Sequence, residues 1–195
     1  MSSRKRTLII IAIILISLLI SIVASLTVNL VQGSSYPRKY TELVEKYASE
    51  YNVPEYIIYA VINTESGFDP EKESNAGALG LMQMTKSTFK YLTSDTHFDE
   101  DIEFECLTDP ETAIRYGTYY LRYLFNKFHK WNVALAAYNA GEGQVFEWLN
   151  DTEYSKDGES LSKIPIKETR DYVKKVNKAI SYYKDTYYRN GVSVK

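Results

Sequence analysis

The residue of greatest chemical interest in this sequence is a glutamate at the end of an apolar helical pattern. Ile57, Val61 and Glu65 fall at positions i, i+4 and i+8, so the pattern predicts Glu65 on the apolar side of a helix. Gly67 is a typical stop signal two residues later. Apolar surroundings and the negative end of the helix dipole both disfavour a charged carboxylate. We therefore expect a raised pKa and a group that donates a proton near neutral pH, which cleavage of a sugar–sugar bond requires.

Three short polar and glycine-rich clusters follow this glutamate: GLMQ at 80–83, AYNAG at 137–141 and ETRDY at 168–172. In the first, Gly80 lets the backbone approach a ligand, and the Gln83 amide offers donors and acceptors. In the second, Tyr138 would face a cleft. In the third, Glu168 and Tyr172 are one helical turn apart and share a face. Taken singly, each cluster also fits ordinary structure: a tight turn, a helix end with a glycine cap, and a surface pair.

Helical periodicity dominates the chain that must position these groups. It predicts helices near residues 38–51, 54–65, 85–92, 109–128, 132–141, 142–149 and 167–187. Thr85, Asp109 and Asn132 are the expected caps, and the acidic stretch 93–108 is expected to be irregular. No stretch alternates convincingly as a strand. The prediction is a mainly α fold, a single domain over residues 38–190 with room for a few very short strands.

The N-terminal segment predicts a membrane anchor. Residues 7–31 form an uncharged apolar run, preceded by three cations at 4–6, and a run of that length can cross a bilayer. The positive-inside bias places residues 1–6 in the cytoplasm and the domain outside, with 32–37 as a linker. The expected location is a bacterial cell membrane, single-pass, with an extracytoplasmic domain. A cleaved signal peptide is the alternative, although its apolar region is usually shorter.

Composition excludes several classes of function. Without the three N-terminal cations, 20 basic residues stand against 25 acidic ones, so nucleic acid is not an expected partner. The single cysteine, Cys106, forms no intramolecular disulfide, and His97 and His129 lack partners at metal-ligand spacing. We therefore expect no metal and no cofactor.

Taken together, the four motifs resemble a known family. ESGF at 65–68, GALGLMQ at 77–83, AYNAG at 137–141 and IP at 164–165 followed by ETRDY at 168–172 match, in order and content, the lytic transglycosylase domain of the soluble-lytic-transglycosylase type. That group is related to goose-type lysozyme. The resemblance covers roughly residues 40 to 185, and we see no departure at the motif positions. It implies a lysozyme-like fold and a peptidoglycan glycan strand as partner.

The resemblance also implies a mechanism. Glu65 matches the family's single catalytic acid/base, which cleaves between N-acetylmuramic acid and N-acetylglucosamine and leaves a 1,6-anhydro ring. The implied substrate-binding set has Ser66 and Gln83 as hydrogen-bonding groups, Met82 and Tyr138 as cleft walls, Asn139 and Tyr172 near Glu65, and Glu168 as a positioning group.

Three alternatives stay open on the sequence. A lysozyme-type muramidase would let water attack and would need a second carboxylate, for which Asp69 and Glu73 are the nearby candidates. A membrane-anchored wall-binding protein without activity is a second alternative. An accessory role in an envelope-spanning machine is compatible with the enzyme, but the sequence does not identify the machine.

Overall fold

The structure is a computed structural model that describes residues 13–24, 35–94, 98, 101–189 and 192–193. The described residues from Arg38 onward form one compact unit, and the N-terminal residues up to Pro37 belong to another. The prediction of a mainly helical fold is confirmed.

The N-terminal unit contains helix α1, described over residues 13–24. Its isoleucine, leucine and valine side chains are exposed, and the Ser17 hydroxyl donates to the Ile14 carbonyl at 2.8 Å. Within the described ranges, no helix is both long enough and apolar enough to cross a bilayer. The anchor predicted over 7–31 lies partly outside those ranges, since they omit residues 7–12 and 25–31.

The larger unit is built from seven α-helices and one 3₁₀ helix within its described residues. They are α2 (Thr41–Tyr51), α3 (Glu55–Glu65), α4 (Lys86–Ser94), the 3₁₀ helix Phe104–Thr108, α5 (Pro110–Phe128), α6 (Trp131–Ala140), α7 (Glu142–Asn150) and α8 (Lys167–Tyr187). Two-residue strands β1 (Tyr188–Arg189) and β2 (Val192–Ser193) pair antiparallel. Isolated bridges join Glu73 to Leu79 and Leu79 to Met84.

Helices α3 and α6 form the centre of the core. Six consecutive residues of α3, from Ile57 to Ile62, are buried, as are five of α6, from Val133 to Ala137. Helices that are apolar on all sides have to be enclosed, and here α3 packs on α8 and α2 while α6 packs on α5, α7 and α8. The alanines of α6 let these neighbours approach closely. The buried α3 therefore delivers its last residue, Glu65, to the edge of the core.

Two helix starts follow the expected capping chemistry. The Asp109 carboxylate accepts from Thr112 N at 2.9 Å at the start of α5, and Thr85 Oγ1 accepts from Thr88 N at 3.2 Å before α4. The predicted cap at Asn132 is wrong, because α6 begins at Trp131 and its N-cap is Lys130, two residues before the predicted one. Asn132 accepts a side-chain hydrogen bond from Asn177 of α8 instead.

Arg38 ties the start of this unit to its C-terminal end. Its guanidinium carbon lies 5.2 to 5.4 Å from the ring centroids of Tyr59, Tyr187 and Tyr188. A Glu55 oxygen lies 3.8 Å from the same guanidinium and accepts from the Tyr188 hydroxyl at 2.7 Å. The cation is thus held by aromatic faces and a carboxylate from two parts of the chain, α3 and residues 187–188.

Candidate active site

Glu65 is the last residue of α3 and is half-buried. Burial raises the pKa of its carboxyl to about 7, while the Tyr172 side chain and the positive charge of Lys72 act in the opposite direction. Removal from water dominates because it penalises only the charged form. The expectation of a carboxyl that keeps its proton near neutral pH agrees with this environment.

Two tyrosines from different helices stand at Glu65. Tyr172 of α8 is buried, and its hydroxyl has no hydrogen-bond partner of standard length among the described residues. Burial and the negative charge of Glu65 hold its pKa well above the usual value. Tyr138 of α6 is half-buried and donates from its hydroxyl to the Met82 carbonyl at 2.8 Å. Burial and Glu65 also raise the pKa of Tyr138, so both phenols stay protonated as potential donors.

The loop over 80–84 is fastened to the end of α3 by Ser66. The buried Ser66 hydroxyl lies 2.9 Å from the Leu81 carbonyl and 3.1 Å from the Ile62 carbonyl, and it accepts from Phe68 N at 3.1 Å. These contacts occupy its single hydrogen. The predicted role of Ser66 in binding substrate stays a prediction, and the structure gives the hydroxyl a structural task as well.

Gln83 and Met82 belong to the same loop and stabilise its conformation by hydrogen bonds and packing. Gln83 Nε2 donates to the Lys72 and Gly80 carbonyls at 2.8 and 3.0 Å. Met82 is buried, and its side chain fills the space beside Gly117 of α5, where any added Cβ would overlap it. Met82 as a cleft wall and Gln83 as a hydrogen-bonding group for substrate stay predictions, since the Met82 side chain is buried and the Gln83 amide donates to backbone carbonyls.

Lys72 is a residue that the sequence reasoning missed. Its Nζ donates to the backbone carbonyl of Glu65 at 2.6 Å. Its own carbonyl accepts from Gly80 N at 2.9 Å and from the Gln83 amide. Lys72 thus links the end of α3 to the 80–84 loop and brings a positive charge near Glu65. A lysine in a loop carries no periodic signal, so the sequence offered nothing to find it.

The other candidate residues are less closely tied to Glu65. Asn139 is half-buried beside Tyr138 in α6, and Glu168 is exposed in the first turn of α8. Asp69 and Glu73 are exposed, and Asp69 accepts from Glu71 N in a local turn. The groups that shift the pKa of Glu65 are Tyr172 and Lys72, so none of these three carboxylates acts on it.

The arrangement can therefore donate one proton and take it back without a second carboxylate acting on Glu65. The buried phenol of Tyr172 and the ammonium of Lys72 can stabilise the anion in between. Within the described ranges, no cluster of three or more His, Cys, Asp or Glu residues could hold a metal ion.

Comparison with known proteins places this geometry in context. A family model described as "Transglycosylase SLT domain" matches residues 42–161. The chain is 35% identical over 156 residues to the soluble lytic murein transglycosylase of Escherichia coli K12, covering 79% of this chain and 23% of the relative. It is 30% identical over 190 residues to membrane-bound lytic murein transglycosylase C of Yersinia pestis, covering 84% of this chain and 52% of the relative.

A solved structure agrees in fold. The X-ray structure of an inactive Glu→Gln variant of the lytic transglycosylase Slt from Pseudomonas aeruginosa superposes with a TM-score of 0.67 at 28% identity, covering 82% of this chain and 26% of that one. The chain thus spans about a quarter of the length of the soluble relatives and about half of the membrane-bound one.

Proposed function

Because this chain belongs to the family of proteins with a transglycosylase SLT domain, we propose that it is a peptidoglycan lytic transglycosylase with Glu65 as its only acid/base. The observation that carries the proposal is the Glu65 carboxyl, with a pKa of about 7, at the end of a buried helix. Its substrate is a glycan strand of alternating N-acetylmuramic acid and N-acetylglucosamine. The family resemblance supports that choice, and the described residues supply a suitable proton donor.

In the first half of the reaction, protonated Glu65 donates its proton to the glycosidic oxygen as the C1–O bond breaks. The positive charge that develops at C1 is stabilised by the acetamido oxygen of the same sugar. Glu65 is now an anion, which Tyr172 and Lys72 stabilise, since both lower its pKa. No second carboxylate among the described residues acts on Glu65, which favours this route over one that uses a protein nucleophile.

In the second half, the Glu65 anion removes the proton from the C6 hydroxyl of that sugar. The C6 oxygen attacks C1 and closes the 1,6-anhydro ring, so Glu65 regains its proton and no water is consumed. The intramolecular attack is fast because the nucleophile is already tethered to the reacting centre.

The substrate contacts are part of the same proposal. Tyr138 and Met82 wall the cleft, and Asn139 orients groups beside Glu65. Gln83 and Ser66 bind the sugar through the side-chain donors and acceptors that are not already used in their hydrogen bonds to the backbone. Glu168 lies at the surface and positions the start of α8.

We also propose that the chain is anchored in a bacterial cell membrane through residues 7–31, with its catalytic domain outside. The support is the uncharged apolar sequence and the exposed apolar side chains of the described part of α1. Fractionation of cells that express the full chain tests this. Recovery with the membrane until detergent is added is expected, and release by buffer alone would contradict an anchor.

Digestion of purified peptidoglycan in H₂¹⁸O tests the reaction. We expect the full-length protein, in detergent, to release muropeptides that end in 1,6-anhydro-muramic acid, are lighter by one water than hydrolysed products, and contain no ¹⁸O. A muramidase would place ¹⁸O at a reducing end, and a wall-binding protein would release nothing. Mass spectrometry separates the three outcomes in one experiment.

The rate should depend on pH with an alkaline limit near 7. Glu65 must hold a proton to start the reaction, and burial raises its pKa to about 7. kcat/KM should therefore fall about tenfold for each unit of pH above that value. A profile measured on soluble glycan fragments checks this, and constant activity across the alkaline range would contradict Glu65 as the acid.

Replacing Lys72 should move that limit. Lys72 lowers the pKa of Glu65, so Lys72→Met should shift the alkaline limb to higher pH by about half a unit, because an exposed charge of this kind is worth at most about 1 kcal/mol. Lys72→Arg keeps the charge and is the matched control, with the limb expected at the wild-type position. If the alkaline limb of the pH–rate profile lies at the same pH in the wild type, Lys72→Met and Lys72→Arg, the charge of Lys72 does not affect the pKa of Glu65.

A further inference from the structure

A row of tyrosines leads away from the catalytic residues across α5 to α4. The ring of Tyr138, which stands at Glu65, lies 5.5 Å from that of Tyr120. Tyr120 is stacked at 6.0 Å on Tyr123. Tyr123 meets Tyr91 at 5.9 Å, and the Tyr91 hydroxyl donates to the Tyr123 hydroxyl at 3.1 Å. Each member is held by the next, so the outermost ring is fixed in place although it lies at the surface.

A depression borders the outer part of the row, from Tyr120 to Tyr91. Its volume is about 240 Å³, and it is lined by Ser87, Thr88, Tyr91, Tyr120, Gly141 and Glu142. Tyr91 is 44% exposed although it already has a ring partner. The volume is below that of a typical pocket for a drug-sized ligand, so the depression suits a single small ring.

The lining indicates what kind of ring. Tyrosine faces bind apolar surfaces such as the C–H face of a sugar. The Ser87 and Thr88 hydroxyls and the Glu142 carboxylate supply donors and acceptors for hydroxyl and amide groups. The six lining residues include no lysine or arginine, and Glu142 is paired with Lys127 at 3.0 Å on another side. Lys127 is already paired with Glu142, and the lining contains no cation that could bind an anionic ligand. The lining therefore favours a neutral, hydroxyl-rich ring with an amide.

We propose that this depression is a glycan subsite, separate from the position of the cleaved bond, that holds an N-acetylglucosamine-type ring against Tyr91. The inference rests on the proposed function, since it places further sugars of the same strand. A muramic acid ring, with its carboxylate or attached peptide, is disfavoured there because the lining holds a carboxylate and no free cation. The row of tyrosines connects Tyr91 to Tyr138 beside Glu65, so a strand long enough to reach both gains the extra contact.

The test is binding as a function of chain length. In a Glu65→Gln background, which prevents cleavage, calorimetry with a chitin dimer and a chitin pentamer gives the Kd of each. We expect Tyr91→Ala to weaken binding of the pentamer about tenfold, the equivalent of one contact of about 1.4 kcal/mol, and to change binding of the dimer less than twofold. Tyr91→Phe keeps the ring and should bind the pentamer within twofold of the parent protein.

A second exposed aromatic serves as the matched control. Phe146 of α7 is 58% exposed and is not part of the row, so Phe146→Ala should leave both affinities unchanged. Equal affinity of the Tyr91→Ala and parent proteins for the pentamer would overturn the subsite. So would an equal loss for both oligomers. Failure of the parent protein to bind either oligomer would instead count against the proposed function, and the subsite would fall with it.

A charged oligomer tests the choice of sugar. A carboxymethylated pentamer should bind several-fold more weakly than the neutral one, and Glu142→Gln should reduce that difference. If the two pentamers bind equally well to the parent protein, the assignment to a neutral ring is wrong.

Discussion

Replacing Glu65 by glutamine is expected to lower the rate of peptidoglycan cleavage by about three orders of magnitude while leaving the fold and glycan binding intact. The glutamine side chain keeps the size and much of the hydrogen-bonding capacity of glutamate but can neither donate nor recover the proton, and a positioned acid/base contributes about 10²–10⁴ in rate. Turnover of purified peptidoglycan and binding of chitin oligomers measure the two properties separately. Full activity in this variant would refute the assignment of Glu65.

The matched controls are Glu73→Gln and Asp69→Asn. Both residues are exposed near Glu65 in the sequence and do not shift its pKa, so both variants should cleave peptidoglycan at close to the wild-type rate. A large loss in either variant, with ¹⁸O found in the wild-type product, would favour the muramidase, since water would then be positioned by a second carboxylate.

Glu65→Gln should also change stability in a pH-dependent way. The folded-state pKa of Glu65 is about 7, against an ordinary value of 4.5. The folded protein therefore binds more protons than the unfolded chain between these values, and its stability falls as pH rises through that window. Glu65→Gln removes the free-energy cost of burying an ionised carboxylate. At about pH 8 the variant should therefore be more stable than wild type by up to about 3 kcal/mol. Below the ordinary value the two should melt together in thermal scans, and equal Tm values on the alkaline side would show that the carboxylate is well solvated.

Gly80→Ala should be among the most destabilising single substitutions in the domain. Gly80 has a φ of +78°, and an added Cβ would overlap the backbone carbonyl oxygen of Leu107, which cannot move aside as a flexible side chain could. We expect a loss of about 3 kcal/mol or more in the free energy of unfolding. Activity should fall with it, because Gly80 N and O both hold the loop that carries Met82 and Gln83.

Gly77 provides the control that separates crowding from backbone strain. Its φ is +74°, nearly that of Gly80, but an added Cβ would meet no atom within 4 Å. Gly77→Ala should therefore cost only the conformational penalty, about 1 kcal/mol. Urea denaturation of both variants measures the difference, and similar losses at the two positions would show that contact with Leu107 contributes little.

The fold and the principal candidate residue could be predicted because their signals are local. The apolar run of α3, the Asp109 cap and the stripe of α8 each lie within a few turns of sequence. The same run predicted that Glu65 lies on the apolar face at the end of α3, where burial raises the pKa of its carboxyl. The four motifs, found in the same order as in the family, identified that family more specifically than any single motif could.

The details that shape the candidate site could not be predicted because they join distant residues. The Ser66 hydroxyl meets the Leu81 carbonyl, and Met82 fills the space beside Gly117. No periodicity relates such pairs, so the sequence suggested that Ser66 and Gln83 were free to bind sugar when much of their capacity is used on backbone carbonyls. The wrong prediction of Asn132 as the cap of α6 has the same cause, because the Asn132 side chain accepts a hydrogen bond from Asn177 of α8.

The buried hydroxyl of Tyr172 has a consequence for the timing of charge in the reaction. Its hydrogen is not committed to another described group at standard hydrogen-bonding distance, and it lies where it lowers the pKa of Glu65. When the Glu65 carboxyl loses its proton, the O–H dipole of Tyr172 is already in position to stabilise the carboxylate. In the proposed mechanism, the surroundings of Glu65 therefore need little rearrangement between its protonated and ionised states.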